Sequence, residues 1–281
     1  MTGAARSDSR LSVKRSAGST MAQYERAVSR PGAYAQQIDA GLRAHMNSIY
    51  GLMGVAMIVT GVVAYIFGQD LAMFLDTARA GQTPQTAIIP ASMIEAIYFS
   101  PLRWVVIFAP LGIVFLFGAM VHRMSAGAAQ GVFWAFAALI GLSISSIFAI
   151  YTGISIAQTF FATAIAFLGL SLYGYTTKRD LSGMGSFLIM GLIGLIVASL
   201  LNIFIASSAL QFAISVIGVL IFAGLTAYDT QRLKSEYVQI TQMGGGAREL
   251  NASAVSGALS LYLNFLNMFM FLLQFMGAAR E

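Results

Sequence analysis

The sequence contains no cysteine and has few histidines, few prolines and few charged side chains. Its 281 residues include two histidines, 16 basic side chains and 11 acidic ones. Without cysteine the chain can form no disulfide, no thiolate metal site and no cysteine nucleophile. The two histidines, His45 and His122, are far apart in the sequence, so they do not form the paired-histidine metal motif of a metalloprotease helix.

The scarcity of charge excludes an ordinary soluble globule. Charged residues make up 10% of the chain, where soluble domains have about 25%, and apolar residues make up 58%. A lipid bilayer is the solvent that fits this composition, because each spanning helix needs about 20 predominantly apolar residues. A net charge of +5 would suggest nucleic acid in a soluble protein, but here its distribution along the chain matters more. We expect no nucleic-acid partner.

Long uncharged runs predict an all-α, polytopic integral membrane protein with seven transmembrane helices. The runs cover residues 47–67, 104–122, 129–150, 154–175, 184–206, 209–228 and 254–277. Residues 1–40 are predicted to form a basic, disordered cytoplasmic tail, and residues 41–281 the transmembrane domain. The connection 68–103 carries two amphipathic stretches that we expect to lie flat at the membrane surface, with Leu71, Phe74 and Leu75 in one and Met93, Ile94 and Ile97 in the other.

The basic residues predict which side of the membrane each connection faces. Counted from a cytoplasmic N-terminus, thirteen lysines and arginines fall on the inside, and the other three, Arg79, Arg103 and Arg280, fall on the outside. Because cytoplasmic loops carry the excess of Lys and Arg, this count predicts a cytoplasmic N-terminus and an external C-terminus. The compact chain and short tail predict the plasma membrane (inner membrane) of a bacterium, whereas in a eukaryotic host they would predict the endoplasmic reticulum.

Two ionisable residues at the cytoplasmic ends of predicted spans are the first candidates for function. Arg123 follows His122 at the end of the second span, and Asp229 ends the sixth. Opposite charges at equal depth can pair, so we predict that Asp229 contacts Arg123 or His122. Asp229 is then either a proton or cation site that faces the bundle, or a solvated residue where the helix enters a loop.

Polar side chains recur along the last span at helical intervals. Polar side chains within a membrane must face protein or water, so we expect the seventh helix in the bundle interior or along a conduction path. Hydrogen bonds between packed helices are the simpler interpretation of the same pattern. The stripe consists of Ser256, Ser260, Asn264, Asn267 and Gln274.

Several enzyme classes lack their residues in this chain. An intramembrane aspartyl protease needs two carboxylates that share a proton, and only Asp229 is a candidate acid at a predicted span. A serine–histidine protease needs a histidine within the membrane, whereas His45 precedes the first predicted span and His122 lies at the end of the second. A phosphate loop is also absent, because the glycine run 244–246 is not followed by Lys-Ser/Thr. We therefore expect no enzyme activity and no cofactor.

Three segments resemble the Bax inhibitor-1 family of membrane proteins. They are 227–234 (AYDTQRLK), 257–265 (GALSLYLNF) and 123–148 (RMSAGAAQGVFWAFAALIGLSISSIF). The resemblance runs from about residue 40 to residue 277 and implies a seven-helix fold with a central sixth or seventh helix. It also implies a pH-sensitive calcium leak, and bacterial members are linked to regulation of a membrane-bound protease.

The resemblance implies an ion and pH sensor built from two aspartates and an arginine. Asp229 matches the first aspartate and would be a calcium ligand, and Arg123 or its neighbour His122 matches the arginine. The position of the second aspartate holds Asn264. Two carboxylates in contact repel each other, whereas an aspartate and an asparagine do not, so acid sensing is expected to weaken here. A calcium site also loses one of the carboxylates on which it depends.

Two functions remain open from the sequence. The first is a non-enzymatic cation leak channel gated near Asp229 and Asn264, with calcium or protons as its partners. The second is a non-channel regulator that binds and modulates a membrane protease or stress-response complex.

Overall fold

The computed structural model describes residues 31–280, with side chains from Ile38 onward except that of His122. Most of the predicted basic tail therefore lies outside the described residues. The part within them is helical, because the first helix begins at Pro31, before the predicted boundary at residue 40. Proline is well suited to the first turn of a helix, where its missing N–H leaves no bond unmade.

Nine α-helices and one short 3₁₀ turn make up the described chain. The helices are α1 Pro31–Arg79, α2 Ala91–Tyr98, α3 Leu102–Met120, α4 Ala126–Ile144, α5 Ile147–Ile150, α6 Gly153–Thr176, α7 Ser182–Ile205, α8 Ser208–Gln242 and α9 Ala247–Met276, and the 3₁₀ turn Val121–Arg123 follows α3. Seven segments are long and apolar enough to cross a membrane, since α4 and α5 together form one of them and α2 forms none. The predicted count of seven is confirmed.

The connection after the first span differs from the prediction. Leu71 and Phe74 belong to the continuous helix α1 and not to a separate surface helix. Nothing interrupts the helix before Arg79, and Gly81 then adopts a φ of +70°, the left-handed conformation that ends many helices. The second predicted stretch does form a short helix, α2, but its apolar residues Ile94 and Ile97 are buried in the protein.

Asp70 ties the connection between α1 and α2 back onto α1. Its buried carboxylate accepts hydrogen bonds from the backbone N–H groups of Ala87 and Ile88, at 2.8 and 2.9 Å, and from that of Ile89. A carboxylate that accepts several backbone N–H bonds replaces the water that these groups would otherwise need.

Helix α9 is the most buried span. Half of its apolar window (50%) is buried, compared with 17% for α3 and for α7. It packs against α4, α6 and α8, and α8 in turn packs against α6 and α7. Glycines allow these approaches: a Cβ at Gly174 of α6 would meet the backbone of Ala227 in α8, and one at Gly185 of α7 would meet the ring of Tyr228. Close backbone contact through small residues is how helices associate in lipid.

The basic residues of the connections lie at the two ends of the bundle. At one end, Arg248 donates to the carbonyl oxygen of Arg123 at 3.1 Å, and Gln231 donates to that of Arg179 at 2.8 Å. At the other end, Arg280 pairs with Asp76 at 3.0 Å. This division is the one that the charge count predicts for the cytoplasmic and external connections.

Candidate functional site

Asp229 is a buried acid of α8 with two partners. Asn264 of α9 donates from Nδ2 to Oδ2 of Asp229 at 2.7 Å. Arg232 brings Nη2 to within 3.0 Å of Oδ1, and its side chain is 45% exposed while that of Asp229 is 10% exposed. The carboxylate therefore has an amide on one oxygen and a guanidinium on the other, which offsets the cost of removing its charge from water.

Helix geometry brings these residues together. Arg232 follows Asp229 by three positions, a spacing that places two side chains on the same helical face. Ser260 precedes Asn264 by one turn of α9, and its Oγ accepts a bond from Nη2 of Arg232 at 3.3 Å. The arginine therefore contacts both an acid of its own helix and a hydroxyl of the neighbouring one, which links α8 to α9.

The other polar residues of the 227–234 motif hold neighbouring elements in place. Gln231 donates to Arg179 and accepts from the backbone N–H of Leu181, both at 2.8 Å. Lys234 donates to the carbonyl oxygen of Tyr175 at 3.1 Å, near the end of α6. Within this motif, Asp229 and Arg232 form the ion pair of the site, and Gln231 and Lys234 fix the turn between α6 and α7 against α8.

The predicted contact of Asp229 with Arg123 is wrong, and the alternative contact with His122 stays a prediction. Of the side chains that the structure describes, the cation that pairs with Asp229 is Arg232. Arg123 ends the 3₁₀ turn after α3 and is exposed, and its carbonyl oxygen accepts from Arg248. The side chain of His122 lies outside the described residues. Sequence reasoning missed Arg232 because it placed that residue in a loop, although its spacing of three from Asp229 was the available signal.

The residues of the polar stripe of α9 lie in different surroundings. Ser260, Asn264 and Asn267 line one cavity, and Asn267 also donates to the carbonyl oxygen of Leu263 in its own helix at 2.8 Å. Gln274 lies near the other end of the helix, where Oε1 accepts from Gln211 at 2.8 Å and from Ser215 at 3.3 Å. Ser256 is half-buried and outside that cavity. Gln274 therefore forms bonds between helices, and only the middle of the stripe faces open space.

The cavity beside Asp229 has a volume of about 640 Å³. Helices α7, α8 and α9 form its walls together with Leu111 of α3, and most of its lining is apolar. Its side-chain oxygen atoms come from one carboxylate, two amides and three hydroxyl groups: Asp229, Asn264, Asn267, Ser199, Ser260 and Tyr228. Calcium takes six to eight oxygen ligands, mostly from carboxylates, so these residues fit a weakly bound cation in transit better than a resident one. Among the described residues, no group of three or more His, Asp or Glu could hold a metal.

A comparison with protein families agrees with this architecture. The model of the family described as "Inhibitor of apoptosis-promoting Bax1" matches residues 42–281. The chain belongs to the Bax inhibitor-1 family. The matched residues extend over all seven membrane-spanning segments. Asn264 stands where the resemblance implies a second aspartate.

Family members of similar length occur in several bacteria. A protein of Caulobacter vibrioides is 46% identical over 250 residues, which cover 87% of this chain and 92% of that protein. The inner membrane protein YbhL of Escherichia coli is 41% identical over 242 residues, with 86% and 94% covered. A membrane protein of Streptococcus pyogenes is 35% identical over 243 residues, with 86% and 95% covered. The resemblance therefore extends over nearly the whole length of each relative.

Proposed function

We propose that this multi-pass inner membrane protein is a cation leak pathway, with calcium as the permeant ion and Asp229 as the carboxylate that the ion meets. The observation that carries the proposal is the buried Asp229, held by Asn264 and Arg232 beside a cavity of about 640 Å³. A buried acid at the end of a span is costly unless it is paired, and ionisable groups that face the interior of a helix bundle are typical of ion pathways. No catalytic role is proposed for any residue.

The contacts of Asp229 suggest how the pathway stays closed. The guanidinium of Arg232 neutralises the carboxylate, and the amide of Asn264 occupies its second oxygen. A cation can replace the guanidinium only when the exposed side chain of Arg232 swings away. Conduction also requires an ion to leave as readily as it enters, and a site with one carboxylate binds calcium weakly enough for that.

Calcium flux into proteoliposomes tests the proposal. Among the described residues that line the cavity, Asp229 is the acid, so Asp229→Asn removes the charge that attracts a cation there, and we expect it to lose most of the flux of the native chain. Asp180→Asn is the matched control, because Asp180 is an exposed acid in the turn before α7 and should leave the flux unchanged. Native protein that passes no calcium at any pH, or Asp229→Asn protein that conducts as well as native, would contradict the proposal.

A regulator of a membrane protease is the second candidate. Helix α8 has 35 residues, so it is about 52 Å long at 1.5 Å per residue, whereas the hydrocarbon core is about 30 Å thick. Its C-terminal part therefore extends beyond the hydrocarbon core on the side predicted to be cytoplasmic, where a partner could bind. Protein that conducts no calcium but co-purifies with a protease complex would favour this function.

A further inference from the structure

The cavity beside Asp229 is open sideways, towards the lipid. Several residues that line it also lie on the outer surface of the bundle: Leu111 is 57% exposed, Ile196 is 52% exposed and Leu200 is 55% exposed. Helix α7 packs along α8, and α3 packs along α4, so the opening lies between α3 and α7. We call it the lateral groove. In a membrane, such an opening is filled by lipid molecules.

The lateral groove is polar at one end and apolar along its length. Its charged residues, Asp229 and Arg232, are level with the start of α7, as the bond between Gln231 and Leu181 shows. Two turns further along α7, the lining follows this helix from Ile189 to Ile203, about 21 Å at 1.5 Å per residue. The charge count places the polar end on the cytoplasmic side. This direction, with charges at the membrane boundary and apolar walls towards the centre, is that of a lipid in the cytoplasmic leaflet.

We propose that the lateral groove binds a zwitterionic phospholipid, with one acyl chain along α7, its phosphate at Arg232 and its ammonium group at Asp229. The site offers a cation and an anion side by side. When Arg232 turns from Asp229 to the phosphate, it frees the carboxylate for the ammonium group, so the two residues complement a head group that carries both charges. Arg232 has five N–H donors, and its bonds to Asp229 and Ser260 both use Nη2. A guanidinium binds phosphate through several N–H groups at once.

The polar end must supply the selectivity. An acyl chain gains no hydrophobic free energy when it moves from the bilayer into an apolar groove, because both surroundings are equally apolar. Charge-assisted hydrogen bonds to the head group are stronger than neutral ones, and more so away from water. The groove should therefore distinguish lipids by their head group and retain one lipid when others are washed away.

Binding is tested on the purified full-length protein in detergent, by native mass spectrometry with palmitoyl lysophosphatidylethanolamine as the probe. Monopalmitoylglycerol has the same chain without charges, and phosphoethanolamine has the head group without a chain. We expect the lysophospholipid to stay bound and the other two compounds to bind at least tenfold more weakly, about 1.4 kcal/mol. Equal binding of the uncharged lipid, or of the free head group, would overturn the proposal.

A pair of neighbouring leucines supplies the matched variants. Leu200 lines the lateral groove, whereas Leu201 does not, and both are about half exposed, at 55% and 53%. Leu200→Trp should fill the groove and abolish lysophospholipid binding, and Leu201→Trp should leave it intact. Binding that is unchanged by Leu200→Trp would contradict the proposal. Because this assay measures no flux, lipid binding and the cation leak can be supported or rejected separately.

Discussion

Asn264 donates a hydrogen bond of 2.7 Å to Asp229 across the interface of α8 and α9. An amide at this position satisfies the carboxylate without adding a charge. The site therefore carries one negative and one positive charge, those of Asp229 and Arg232. Two aspartates here would place like charges in contact, and a proton would then be needed to hold the two helices together.

The first prediction concerns Asn264→Asp. The variant should create a coupled pair of acids that shares a proton, so calcium flux should change several-fold between mildly acidic and mildly alkaline pH. The native chain, with an amide at this position, should vary less over the same range. Proteoliposome flux at three pH values, for both proteins, makes the comparison. An equally steep pH dependence in the native chain would show that the pair of residues 229 and 264 is not the sensor.

The second prediction compares the effects on stability of replacing Arg232 and Arg123. Arg232→Gln leaves the buried carboxylate of Asp229 without its cation, and we expect a loss of about 1 to 3 kcal/mol in stability, less than for a fully buried pair because Arg232 is partly exposed. Arg123→Gln should change stability by no more than about 0.5 kcal/mol, as for other surface substitutions. Thermal unfolding in detergent measures both.

A double variant controls for the loss of the arginine itself. Asp229→Asn combined with Arg232→Gln removes both charges of the ion pair, so much of the stability lost in Arg232→Gln should return. A larger loss in the double variant than in Arg232→Gln, or a large loss for Arg123→Gln, would contradict the pairing of Asp229 with Arg232.

The sequence predicts the fold and two residues of the site, Asp229 and Asn264, but not Arg232. Uncharged runs identify spans because a bilayer requires them, and the spacing of the polar stripe correctly placed Asn264 inside the bundle. The partner of Asp229 was assigned by matching depths on different helices, which ignores where side chains point. The structure shows that the 3₁₀ turn after α3 leaves Arg123 exposed while α8 continues beyond Asp229 and brings Arg232 onto the same face.

The lateral groove could not be predicted in this way. It arises because α7 packs along α8 while α3 packs along α4 and α2, which leaves a gap between α3 and α7. Both helices are apolar on nearly all sides, so their sequences do not distinguish a face that meets lipid from one that meets protein. Only the relative positions of the helices reveal the opening.

The third prediction tests the close approach of α6 and α8. A Cβ at Gly174 would lie 2.9 Å from the carbonyl carbon of Ala227 and closer still to its oxygen. Because both are backbone atoms, one helix would have to move, and we expect Gly174→Ala to cost about 1 to 3 kcal/mol. Gly169→Ala, in the same helix, has nothing within 4 Å of the added Cβ. That control should be neutral or slightly stabilising in thermal unfolding, and equal losses for both variants would contradict the packing.

The last prediction concerns the orientation of the chain in the membrane. The structure places Arg79 and Arg280 towards one end of the bundle, where Asp76 lies within 4 Å of both, and places Arg179 and Arg248 at the other end. The excess of basic residues predicts that the second end is cytoplasmic.

The native chain has no cysteine, so each arginine can be replaced by a single cysteine and labelled with a membrane-impermeant maleimide on intact spheroplasts. Arg79→Cys and Arg280→Cys should be labelled from outside, whereas Arg179→Cys and Arg248→Cys should be labelled only after lysis. The reverse pattern would place the polar end of the lateral groove at the external face. Labelling of Arg79→Cys and Arg179→Cys from the same side would contradict the membrane-spanning arrangement itself.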